Sequence, residues 1–147
     1  MVEIIEALFP KLRDSNYRVT SQPDARYNCI AWAAGDTRRW WWPERDIENG
    51  FWPDSVPFEV TLAAFCALFD SLGYAMCAAE AFEPAFERIA IFAGSDGLPT
   101  HAARQLPNGL WTSKLGEGED IEHDLHHLEG QVYGSVSAVM RRPAAVP

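Results

Sequence analysis

The chain has 147 residues and a net charge of −9. That length suits a single domain with a real core. The acidity argues against nucleic acid or an anionic membrane as partner and leaves a basic partner open. No apolar run approaches the ~20 residues of a membrane span, and residues 1–6 lack the basic start and apolar stretch of a signal peptide. Three cysteines at uneven spacing argue for free thiols in a reducing compartment rather than a disulfide framework. A cytoplasmic location is the expectation.

In chain order, Ile4, Ile5, Leu8 and Leu12 predict a short amphipathic helix in 1–14, broken near Pro10. Residues 15–28 read as polar and extended. Residues 29–35 read as a helix stopped by Gly35. A long loop follows over 36–57, rich in Trp and Pro: Trp40, Trp41, Trp42, Pro43, Trp52, Pro53 and Pro57. Loops of that length in compact domains are functional or wrap the core. Leu62, Phe65, Leu68, Phe69 and Leu72 share one face of a helix predicted over 58–72, ended by Gly73.

Strands are predicted at 74–77, 88–93, 100–106, 110–115 and 132–140. Asn108-Gly109 marks a hairpin between the third and fourth. Residues 117–130 read as an acidic, His-rich loop with a helical turn, and the tail at 142–147 as frayed. Helices first and a meandering antiparallel sheet afterwards define an α+β domain spanning 1–147.

Tyr27-Asn28-Cys29-Ile30-Ala31-Trp32 mounts a cysteine at a helix start. There, unpaired backbone N–H groups and the positive end of the dipole favour a thiolate. His101 opens a strand downstream, where a rigid backbone suits a general base. The two form a candidate nucleophile and base. Asn28 and Gln22 are candidate oxyanion donors, beside the N–H of Cys29 itself.

The third member depends on hairpin register. A three-residue loop, Pro107-Asn108-Gly109, puts Ser113 on the face of His101; a two-residue loop puts Thr112 and Lys114 there. The three-residue loop is preferred, since a type I turn followed by a left-handed Gly109 is a common solution. Ser113 is therefore the expected orienting residue, with Asp120, Glu122 and His123 as other residues able to reach in.

Asn28-Cys29 on a helix, a second helix, then Thr100-His101-Ala102-Ala103-Arg104 and an Asn-Gly hairpin resemble the papain-like cysteine peptidase superfamily, in its compact NlpC-type layout. The chain also resembles small bacterial proteins pairing an Asn-Cys-x-Ala-Trp element with a His-Ala-Ala-Arg hairpin. The resemblance implies a cysteine helix packed on an antiparallel sheet, with the histidine and a third polar residue on successive strands. It implies a thiol hydrolase or acyltransferase acting on an amide or peptide bond through a thioester, with no cofactor. The sequence departs from the cell-wall enzymes in having no Asp-Cys-Ser signature.

Cys66 and Cys77 read as packing residues. His123, His126 and His127 lack the intervening Glu of a metalloprotease helix, so no metal site is assigned. Trp40, Trp41 and Trp42 are the expected substrate- or partner-binding side chains, because three consecutive rings in extended chain leave at least one facing outward. The rival to the enzyme is a catalytically silent domain that holds a protein partner with this loop.

Overall fold

The computed structural model describes residues 2–145. Helix α1, Val2–Leu8, is followed by a 3₁₀ turn, Pro10–Leu12. Then come β1, Arg18–Val19; α2, Cys29–Ala34; β2, Trp40–Trp41; β3, Gly50–Phe51; and α3, Leu62–Ser71. The remaining strands are β4, Ala75–Cys77; β5, Phe86–Ala93; β6, Pro99–Gln105; β7, Trp111–Lys114; β8, Asp120–His123; and β9, Ser135–Pro143. A second 3₁₀ turn, Leu125–Leu128, precedes β9. Seven strands form one antiparallel sheet in the order β1-β8-β7-β6-β5-β9-β4, while β2 and β3 make a small parallel pair. The α+β class is as expected. Among the described residues, no helix is long and apolar enough to cross a membrane.

Both faces of the sheet are covered. Ile89, Ile91, Ala102, Ala138 and Met140 face α2, α3 and the Trp-rich loop. Ala90, Phe92, Ala103, Trp111, Ile121 and Val139 face α1 and the two 3₁₀ turns, which contribute Ile5, Phe9, Leu12, Leu125 and Leu128. The partition follows the two-residue period of a strand.

Local chemistry explains the element ends. Asn28 caps α2 by accepting the Ala31 N–H, and Gly35 closes it in the left-handed region at φ 91°. Helix α3 begins at Leu62, four residues later than predicted, because the Thr61 hydroxyl accepts the Ala64 N–H and sets the cap there. In the β6–β7 hairpin, Leu106 donates to the Leu110 carbonyl at 2.7 Å and Gly109 sits at φ 87°. That is the three-residue loop. Strand β8 lies where a loop was expected. Its acidic composition masks a strand whose Asp120, Ile121 and His123 are all buried. Strand β9 runs on through Pro143, so the tail expected to fray from 142 is paired at its start, and residues 146–147 lie outside the described chain.

Gly134 enters β9 at φ 75°, and a Cβ there would lie 2.0 Å from the Ala93 carbonyl oxygen. At Gly97, with φ 80°, an added Cβ would meet nothing within 4 Å. Gly97→Ala is expected to cost about 1 kcal/mol, the left-handed penalty alone. Gly134→Ala should cost more than about 3 kcal/mol, because the Ala93 backbone must also move. Urea unfolding of the two variants checks the difference.

Candidate functional site

The start of α2 is held by one side chain. Asn28 Oδ1 accepts the N–H groups of Ala31 at 3.1 Å and Trp41 at 3.0 Å, and its Nδ2 donates to the Trp41 carbonyl at 2.8 Å. Cys29 is the first helical residue and is buried. Burial pushes its thiol up to about 11. The backbone N–H groups of Ala102, Ile30 and Cys29 face the sulfur and oppose that rise, as does the Lys114 ammonium, without overcoming it. Burial therefore favours the neutral thiol over the thiolate. Asn28 is committed to the helix cap and to the Trp41 backbone rather than to an oxyanion. Gln22 is exposed in the loop before the helix, while the sulfur is buried, so the structure does not bring it to the thiol.

His101 is completely buried, and its position follows from strand alternation. Residues 101, 103 and 105 of β6 point to one face, and 100, 102 and 104 to the other. Ala102 joins the cluster that contains Cys29. The His101 ring packs on the other side, stacked on Tyr133 at 4.0 Å and edge-on to Phe92 at 5.2 Å. Among the described residues no hydrogen bond joins Cys29 to His101. The expected nucleophile–base contact is thus not formed, because α2 lies over the face of β6 that His101 does not occupy. The Ala102 N–H faces the sulfur, and Tyr133, stacked on the His101 ring, also lies within electrostatic reach of Cys29.

The expected partnership of His101 with Ser113 is present. His101 Nε2 lies 2.9 Å from Ser113 Oγ, which lies 2.7 Å from His123 Nε2. His123 Nδ1 in turn lies 2.8 Å from the Asp124 carbonyl. A carbonyl only accepts, so Nδ1 carries the His123 proton and Nε2 is its lone pair. Ser113 then donates to His123, and His101 Nε2 donates to Ser113. One carbonyl fixes every proton in the chain. What remains is His101 Nδ1, a bare lone pair, buried and without a partner. His123, read from sequence as part of a hydrated loop, is the buried end of this relay. A histidine alternating with Ile121 was the available signal for it.

The face toward α2 carries a second polar layer. Lys114 Nζ donates to the carbonyls of Asp24 and Gly116, both at 2.6 Å, and lies 4.8 Å from the Tyr27 ring centroid. Tyr27 donates to Asp120 at 2.9 Å, and Trp32 Nε1 donates to the Thr112 hydroxyl at 3.0 Å. Lys114 and Asp120 therefore fasten α2 to the sheet rather than orient His101. Glu122 pairs with Arg18 at the sheet edge. His126 is exposed and bonds Glu80. Among the described residues no group of three or more His, Cys, Asp or Glu could hold a metal ion.

The three tryptophans diverge. Trp40 is half-buried and Trp41 is buried, its Nε1 donating to Asp36 at 2.8 Å. Trp42 packs edge-on to Phe65 and is the one of the three that lines an open groove of about 580 Å³. Ile47, Phe51, Trp52, Val56 and Phe58 complete its apolar lining, and Phe58 is 48% exposed. Of the expected binding residues, only Trp42 reaches this groove. Phe58, assigned from sequence to the following helix, was missed because the Thr61 cap excludes it from α3.

These features define the class: a two-cored α+β domain with a cysteine-led helix on one sheet face and an aromatic groove beside it. The model of a family described as a domain of unknown function, DUF7689, matches residues 18–141, and the chain belongs to that family. No curated protein and no solved structure matches the chain.

Ser113→Ala leaves two buried imidazole nitrogens unpaired and should cost about 2–4 kcal/mol in urea unfolding. Burial also lowers His123 to about 4 from an ordinary 6.5. The folded state then binds fewer protons than the unfolded chain between those values. Stability is complete above pH ~6.5 and falls as pH drops toward ~4, by up to about 1.4 kcal/mol per pH unit from this group. His101, lowered by burial and by the His123 charge, acts in the same direction. A urea series across pH 4–7 should show that slope, and His123→Asn should flatten it.

Proposed function

We propose that the protein is a non-catalytic binding domain that holds a segment of a partner protein in its Trp-rich groove. One observation carries this reading: Trp42, Phe51, Trp52 and Phe58 line an open groove, while Cys29 and His101 are both buried and share no hydrogen bond among the described residues. Exposed aromatic side chains on a fixed frame are the usual anchors of protein recognition. The groove is fixed by Trp52 Nε1, which donates to the Pro57 carbonyl at 3.0 Å, and by the packing of Trp42 and Trp52 on Phe65. On this reading the chain keeps a papain-like layout without a working nucleophile. Its free cysteines fit a reducing, cytoplasmic setting.

A second reading has its own support. His101 Nδ1 is a bare, fixed lone pair, and the next backbone N–H faces the Cys29 sulfur. Thiol hydrolysis or acyl transfer at an amide or peptide bond would follow if the sheet end parted to bring sulfur and ring together. Alkylation by iodoacetamide separates the two. In the native protein, half-buried Cys66 and Cys77 should react first and Cys29 should stay protected until unfolding. Selective labelling of Cys29 at mildly acidic pH would instead favour the thiol enzyme.

A further inference from the structure

We infer that the groove is built for a basic extended segment, with arginine or lysine alternating with apolar residues; this rests on reading the Trp-rich loop as a binding surface. The groove couples an aromatic floor to an acidic rim. Glu44, Asp46 and Asp54 line it and are exposed, and Glu48 lies on the same turn of chain. Among the described residues none of these four carboxylates enters an ion pair. Arg45 is the only cation among the lining residues.

The protein itself displays the contact an incoming arginine would make. The Arg45 guanidinium lies 5.1 Å from the Phe58 ring centroid, and Arg39 lies 3.7 Å from the Phe51 ring centroid. Both are cation–π pairs at rings that reach the surface, so the groove already selects guanidinium against aromatic carbon. An incoming side chain can take the free face of Phe58 or replace Arg45, and its charge then meets the unpaired rim. Apolar neighbours in the same segment reach Trp42 and Val56. The −9 charge of the whole chain adds attraction at long range for a basic partner and repels nucleic acid and anionic lipid from the same groove.

The test uses the full chain and three short synthetic peptides with leucine at alternate positions and arginine, glutamine or glutamate between. Binding is read by tryptophan fluorescence and by calorimetry. The arginine peptide is expected to bind about 10-fold tighter than the glutamine peptide, the sum of three modest surface charge contacts. The advantage should shrink as salt rises. A variant carrying Glu44→Gln, Asp46→Asn and Asp54→Asn should remove most of the advantage and leave glutamine-peptide binding unchanged. Phe58→Ala should weaken both peptides. Equal affinity for all three peptides would overturn the inference and leave the binding reading standing. No binding of any peptide overturns both. Self-association that is lost in Phe58→Ala would assign the groove to a second copy and also overturn the inference.

Discussion

Strand β6 is buried on both faces, and strand alternation therefore decides which of its side chains can meet. His101 and Ala103 serve one core; Ala102 and Arg104 serve the other. A shift of one residue would exchange the two sets. The register is held by the β6–β7 turn, where Gly109 adopts a left-handed conformation, and by pairing to β5 along most of the strand. The separation of thiol from imidazole is a direct result. Burial favours the uncharged form of both, raising the thiol and lowering the imidazole.

The two layers solve the same problem in different ways. Both bury polar groups, which are costly unless paired. Beneath α2, pairing is achieved across elements: Lys114 reaches back to Asp24, Tyr27 to Asp120, and Trp32 to Thr112. These contacts fix the short helix on the sheet, since six residues of helix have little stability of their own. On the opposite face, Ser113 joins His101 to His123, which bonds the Asp124 carbonyl, and the chain ends on one unpaired nitrogen. The first layer is a fastening. The second is a relay of fixed direction, ending in a proton acceptor with no hydrogen-bond partner among the described residues.

What was legible in the sequence was what short-range chemistry decides. The Asn28 cap, the Gly35 stop and the Pro107-Asn108-Gly109 turn each follow from a residue's own backbone preference. The turn then carries over a longer distance, because its length sets which residue of β7 lies diagonal to His101. Strand β8 was hidden by its own acidity: Asp120 and His123 look solvated until Tyr27 and Ser113 supply partners from elsewhere in the chain. The pairing of Cys29 with His101 failed for a different reason. Periodicity assigns residues to the two faces of a strand, but which face receives a helix is settled by packing of the whole domain. The tryptophan run was expected to leave a ring facing outward; Trp40 and Trp42 are half-buried, Trp41 is buried, and Trp42 lines the groove. Which ring lines the groove depends on the β2–β3 pairing and on Phe65 beneath it.

Asn28 links the two halves of the functional question. In a thiol enzyme, the residue before the nucleophile is well placed to help bind an oxyanion. Here its side-chain amide is engaged by the cap and by both backbone groups of Trp41, so the start of α2 also anchors the Trp-rich loop. Asp36 adds a second tie through Trp41 Nε1, and Asn49 a third through its bond to the Arg38 carbonyl. A loop held at three points has little conformational freedom left to lose. The amide beside Cys29 is thus spent on tying the start of α2 to the Trp-rich loop, so that helix and loop hold each other in place.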